Sequence, residues 1–137
     1  MINVYEIRDA IRTRIFESGI FDLDEISYEN KTFNPAGKTK WLNEYYLQIG
    51  ETSLSDKSDD LQGIFQYTIN VPINTGDTLC DSIARQVGDL FGTREVVTTD
   101  SYRFSISNVE RTFQGRLQQD SIWYSIVIDI NFRVFGK

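Results

Sequence analysis

The sequence predicts an α+β fold: two helices packed on one face of a largely antiparallel sheet of about four main strands, in the order α-β-β-α-β-β. Two stretches carry apolar residues at helical spacing, and four alternate with period two. The alternating stretches set an oily face against a mixed one, the pattern of an antiparallel sheet covered on one side only. Two αββ halves are suggested by this order, although no sequence repeat links them.

The first helix is expected over about residues 3–17. Val4, Ile7, Ile11 and Ile15 fall on one stripe, Arg8, Arg12 and Arg14 lie between them, and Ser18-Gly19 closes the segment. Next comes ISYENKTFNPAGKTKWLNEYY (26–46), with a short extra strand at Ile26–Tyr28 and a turn of Asn34, Pro35, Ala36 and Gly37. In the first main strand Trp41, Tyr45, Leu47 and Ile49 share a face, and in the second Phe65, Tyr67, Ile69 and Val71 do, with Pro72 ending it. The second helix begins at Gly76-Asp77-Thr78, where Asp77 or Thr78 is the expected cap. Its apolar positions are Leu79, Ile83, Val87, Leu90 and Phe91, and Gly92 is the expected stop. Tyr102, Phe104 and Ile106 mark a third strand. Tyr124, Ile126, Ile128, Ile130, Phe132 and Val134 mark a fourth, backed by Ser125, Val127, Asp129, Asn131 and Arg133. Two polar connections of about ten residues, acidic at 51–60 and basic at 111–120, are longer than ordinary hairpin loops.

Composition narrows the function more by exclusion than by signal. At 137 residues one domain spanning 1–137 is expected. No apolar run approaches the ~20 residues that span a bilayer, and the N-terminus lacks a signal-peptide core, so synthesis in a cytoplasm and no membrane partner are expected. A net charge of −6 opposes general nucleic-acid binding. The single cysteine, Cys80, excludes an internal disulfide and any cysteine metal cluster, and in mid-helix it reads as a small buried hydrophobe.

Chemistry is hard to assemble from the rest. The chain has no histidine, which removes the commonest general base, histidine-paired nucleophiles and histidine zinc sites. The acidic groups Asp22/Asp24/Glu25 and Asp56/Asp59/Asp60 lack calcium-loop spacing and read as solvated loops. Gly37-Lys38-Thr39 has Phe33 where a phosphate-binding loop needs glycine, and strand follows where that loop needs a helix. Neither a catalytic group nor a cofactor is expected. What stands out is aromatic content of 13%, because Tyr and Trp suit surfaces that are buried on one side and wet on the other.

The order of these segments resembles the bacteriophage tail terminator family. The resemblance runs through the N-terminal helix, ISYENKTFNP (26–35), WLNEYYLQI (41–49), GIFQYTINVPINTG (63–76) and WYSIVIDINF (123–132), nearly the whole chain. It implies a structural virion protein, not an enzyme. Such subunits form a ring, typically a hexamer, at the head-proximal end of the tail; the ring stops tube polymerisation and offers a surface to the head-side connector. The implied partners are further copies of itself, the tail tube protein, the connector, and genomic DNA that passes through the lumen without specific binding. Another phage neck or tail-completion protein is the nearest alternative, and a small ligand-binding α+β domain is a more distant one.

Loop position and aromatic exposure suggest the residues that meet a subunit, tube or connector: Tyr28, Asn30, Lys38, Lys40, Trp41, Tyr46, Asp56, Asp59, Asp60, Arg111 and Arg116. Acidic 51–60 and basic 111–120, with Lys31, Lys38 and Lys40, are complementary in charge. Surplus negative charge on a lumen wall is expected to let DNA slide.

Overall fold

The central feature is a pair of strands that bury one side completely. The computed structural model describes residues 2–29, 31–54, 58–117 and 122–134, without the side chains of 52–54, 58–59 and 113–117. Strand β3 (Ser58–Pro72) pairs antiparallel with β6 (Trp123–Val134), from Leu61↔Val134 to Pro72↔Trp123 with no register shift. Phe65, Tyr67, Ile69, Ile126, Ile128, Ile130 and Phe132 all turn to the same side and are buried. Each such side chain contributes about 1.5–3 kcal/mol relative to exposure.

The sheet has six strands rather than about four, in the order β1-β2-β3-β6-β5-β4. Beside β3 lies β2 (Trp41–Leu54), and outside it β1 (Ile26–Ser27) pairs in parallel, so the sheet is mixed. Beside β6 lies β5 (Arg103–Leu117), edged by β4 (Val96–Thr98). The chain order is therefore α-β-β-β-α-β-β-β, which corrects the expected α-β-β-α-β-β. Strand β1 falls where the short extra strand at Ile26–Tyr28 is expected, and β4 spans three residues, too few for alternation to register. Register shifts occur once between β2 and β3 and three times between β5 and β6, and such bulges bend and twist their strands. The flanks therefore curl around a regular centre.

Helices α1 (Val4–Glu17) and α2 (Asp77–Gly88) cover one face, as expected. Asn3 caps α1 by accepting from the Tyr5 amide at 3.1 Å, and Ile7, Ile11 and Ile15 are buried. Helix α2 buries Cys80, Ile83, Ala84 and Val87, leaving Leu79 exposed, because the stripe facing the sheet runs one position later than Leu79 suggests. Its cap is Gly76, at φ +82°, with no side-chain hydrogen bond; the chain leaves the turn after β3 in a conformation only glycine adopts freely. Asp77, expected as a cap, is the first helical residue. The helix ends at Gly88, four positions before the expected stop at Gly92.

The two long connections are mostly strand. Strand β2 runs to Leu54 and β3 starts at Ser58, while β5 continues to Leu117. The sequence of these ends is mostly polar, so alternation gives no signal even though the backbone ladder persists. No helix among the described residues is long and apolar enough to cross a membrane.

Two features of this core are directly testable. A Cβ on Gly63 would lie 2.8 Å from the Phe132 ring and 2.9 Å from the Tyr46 ring, two rings that stack with centroids 6.1 Å apart. Gly63→Ala is expected to lower stability by about 2 kcal/mol through overpacking, measured by urea unfolding; an unchanged midpoint would show that the aromatic stack gives way freely. The Cys80 thiol is fully buried, 3.6 Å from the Ile69 carbonyl, and burial pushes its pKa to about 11. It is expected to resist a maleimide at pH 8 in the folded protein and to react in urea, as followed by mass spectrometry.

Candidate docking surfaces

The face of the sheet away from the helices has no layer packed on it among the described residues. On β2 it carries Trp41, Asn43, Tyr45, Leu47 and Ile49, with Tyr45, Leu47 and Ile49 exposed by 48%, 49% and 58%. These residues do share a face, as expected, but it is the open one. Leu42, Glu44 and Tyr46 take the covered side. The register shift between Gln48 and Gly50 leaves Ile49 out of the ladder. Ile64, opposite Leu47, widens the apolar stripe onto β3.

Further across, the open face is polar and internally satisfied. Ser125 donates to Asn70 Oδ1 at 2.5 Å, and Asn70 donates to the carbonyls of Thr68 and Trp41 at 3.2 and 3.4 Å. Asp129 accepts from Gln66 at 3.1 Å and from the Thr112 hydroxyl. Satisfied groups of this kind give little to a partner, because their lone pairs and protons are already used. The apolar stripe is the part of this face with something to gain from cover.

The stretch 28–40 closes one end of the sheet. The Lys38 amide donates to Pro35 O at 3.1 Å around Gly37, whose φ of +78° is the value a type II turn requires at its third residue. Asn34 accepts from the Ala36 amide at 3.0 Å and fixes the entry to that turn. Phe33 packs on Trp41 with ring centroids 5.0 Å apart, and Trp41 meets Trp123 edge-on at 5.8 Å. The buried indole N–H of Trp41 has no hydrogen-bond partner among the described residues. Beside this cluster Tyr28, Lys31, Phe33 and Lys38 line an open cleft of about 310 Å³.

A buried carboxylate ties this region to α1. Glu44, 2% exposed, receives Arg12 at 2.7 Å and the Tyr67 hydroxyl at 3.0 Å. Burial first, and the Glu44 charge second, push the Tyr67 pKa well above its usual value, so the phenol stays a donor. The Arg12 guanidinium also lies over the Tyr28 ring, 4.2 Å from its centroid.

Of the residues expected at an interface, the structure places Tyr28, Lys38, Lys40 and Trp41 around the 28–40 stretch. Lys38 and Lys40 are held at 3.2 and 3.4 Å by Asp24 and Glu25 of the same chain. Tyr46 lies on the helix side, half-buried against Phe65 at 5.1 Å and under Arg8 at 5.1 Å. Asp60 binds Arg133 at 2.7 Å, and Arg111 binds Asp81 of α2 at 2.7 Å. Asp59 and Arg116 lie in β3 and β5, but their side chains are outside the described residues, as are Asn30 and Asp56 altogether. The expected set is thus spread over several regions of the molecule. The exposed Tyr45, Leu47 and Ile49 were absent from it, because an apolar face reads as a core face unless its strand's other side is known to be filled. Among the described residues no three metal-ligating side chains converge.

Comparison with known proteins decides the family. A family model described as phage tail terminator protein matches residues 6–132. The chain belongs to that family. Its coarse role follows: a structural component of the virion tail that works with other tail and neck proteins. A solved structure with a TM-score of 0.75 and 17% identity, covering 98% of this chain and 96% of that one, shows the same fold. No curated protein matches in sequence.

Because Glu44 anchors both Arg12 and Tyr67, Glu44→Ala in this tail terminator family member is expected to cost about 3 kcal/mol in chemical denaturation. Glu44→Gln, which keeps an acceptor for Tyr67, should cost clearly less; equal losses would mean that charge alone matters.

Proposed function

We propose that this chain is a ring-forming tail terminator: it stops polymerisation of the tail tube and provides the surface on which the head-side connector sits. The observation that carries the reading is the family match over 6–132, which spans most of α1, all of α2, β1 to β5 and most of β6. The open sheet face with its apolar stripe supports it, since a subunit that worked alone would gain from covering Tyr45, Leu47 and Ile49. In this reading copies of the chain, as a hexamer, meet head to tail through two unlike side surfaces, the arrangement that closes a ring. The tube protein and the connector take the remaining ends, DNA passes through the lumen without specific binding, and the ring sits at the head-proximal end of the tail.

The docking role proposed for 28–40 and for the hairpin ends rests on shape more than on long-range charge. Lys38, Lys40, Asp60 and Arg111 already have partners in their own chain, which leaves less charge for attraction between subunits. The decisive measurement is tail length by electron microscopy in particles made while this gene is silenced. Headless tails of excessive, uncontrolled length are expected. Tails of normal length that fail to join heads would assign the chain to another level of the neck, and normal infectious particles would remove both roles.

A further inference from the structure

Each side of the sheet ends in a strand that is paired over only part of its length. On β2, β1 covers Leu42 and Asn43, and the Glu29 carboxylate accepts from the Tyr46 amide, taking the place of a strand carbonyl. From Leu47 to Leu54 the outer backbone edge of β2 has no strand partner among the described residues. On the far side β4 pairs with Arg103, Phe104 and Ser105, and Ile106 exchanges hydrogen bonds with the Arg94 amide and the Glu95 carbonyl. From Ser107 to Leu117 the outer edge of β5 is likewise without a strand. Long free edges of this kind are templates for strand addition.

The two edges fit each other. Strands β2, β3, β6 and β5 alternate in direction, so β5 runs opposite to β2. A second copy placed beside the first by rotation in a ring would lay its β2 antiparallel to the first copy's β5, continuing the alternation. The free lengths lie at different heights, however. Leu47, Ile64, Asn131 and Asn108 share one rung, and Asn43, Thr68, Val127 and Phe113 share another, so the β2 edge is open above the level at which the β5 edge is open. Side chains keep to their own face only if the shift is even, and a shift of about four residues, ~14 Å, brings residues 47–52 of one copy beside residues 108–113 of the next. Repeated every four strands, ~19 Å of sheet width, that shift corresponds to a strand tilt of about 35°. Closed barrels tilt their strands by about 35–45°. Caps at opposite ends of opposite edges therefore set a stagger of the size that closing a sheet on itself requires.

We infer that copies of this chain join by adding the 47–54 edge of β2 to the 107–117 edge of β5 in the next copy, making one continuous antiparallel sheet around the ring. This rests on the ring reading above and specifies its side contact. The open face then runs on from copy to copy, and its apolar stripe lies beside the joint, next to the β5 of the neighbouring copy. The bulges of β5 suit the strand to such a seam, since bulges concentrate at sheet edges and barrel rims.

The test uses tails assembled in cells in which the gene is silenced and a variant is supplied. In a Cys80→Ala background, Gly50→Cys is combined with either Glu110→Cys or Asn108→Cys. All three positions lie on the open face, and a Cβ at Gly50 meets nothing within 4 Å. Oxidation is expected to give a ladder of linked chains, two upwards, for at least one pair, with each single-cysteine variant staying monomeric on the gel. Variant present in tails without a ladder overturns the edge joint and leaves the terminator reading standing. A dimer from Gly50→Cys alone indicates a two-fold contact and also overturns the joint. Loss of the wild-type protein from tails sinks the terminator reading itself. Hydrogen exchange on the unmodified protein covers the case of a variant that fails to fold. Amides of 47–54 and 107–117 are expected to slow at least tenfold in tails relative to the free chain, and unchanged rates overturn the joint.

Discussion

The unshifted ladder between β3 and β6 is the constraint on which everything else in this molecule rests. It holds twelve consecutive pairs with no bulge, and it supplies both the floor against which α1 and α2 pack and the reference from which the flanking strands depart. Because period-two alternation leaves no freedom of register once one face is buried, a slip of one residue would turn either Phe65 and Tyr67 or Ile128 and Ile130 to the wrong face. The flanks are freer. Bulges accumulate toward β5 and the β2 edge, where fewer apolar side chains depend on the register. The sheet therefore has a rigid centre and margins able to bend, a mechanical division suited to a subunit whose margins meet neighbours.

How much of this was legible in the sequence depends on whether the deciding partner lay near in the chain. Helix α1, the β3 face and the β6 face are encoded by local periodicity, and all were found where periodicity put them. Strand β2 turns the opposite way from what its composition suggests. Tyr45, Leu47 and Ile49 are more apolar than Leu42, Glu44 and Tyr46, so composition favours the wrong face. Arg12, thirty-two positions earlier, and Tyr67, twenty-three later, make burial of Glu44 tolerable. Single-sequence patterning has no access to that kind of long-range compensation. The hairpin ends look like loops in the sequence for a related reason: a ladder built mostly of polar residues carries no hydrophobic rhythm. The candidate site suffered most, since it was inferred from loop position and several supposed loops are strand.

Charge is arranged to hold this chain together before it can hold it to anything else. Arg12, Arg14, Lys38, Lys40, Arg85, Arg111 and Arg133 each have a carboxylate of the same chain within ion-pair distance. Exposed pairs of this kind contribute little stability singly, about 0–1 kcal/mol. Their larger effect is on specificity: a cation already matched offers less to a polyanion such as DNA than an isolated one. With a net charge of −6 the chain is poorly suited to gripping nucleic acid and well suited to standing beside it.

What remains for association is the kind of interaction that matched charges cannot satisfy. A backbone edge has donors and acceptors fixed in direction and spacing, so it accepts only another strand, in one polarity and in registers set by what covers its ends. An apolar stripe gains from any cover that excludes water, without choosing among partners. Set side by side on β2, the two would divide the work in the proposed joint: the edge between Leu47 and Leu54 selecting what docks, and Tyr45, Leu47 and Ile49 supplying free energy that keeps it. In the ring proposed above, where each copy recognises its own kind and DNA passes through, selection by backbone geometry has an advantage over selection by charge. It does not weaken as salt rises, because it does not depend on unscreened attraction at a distance.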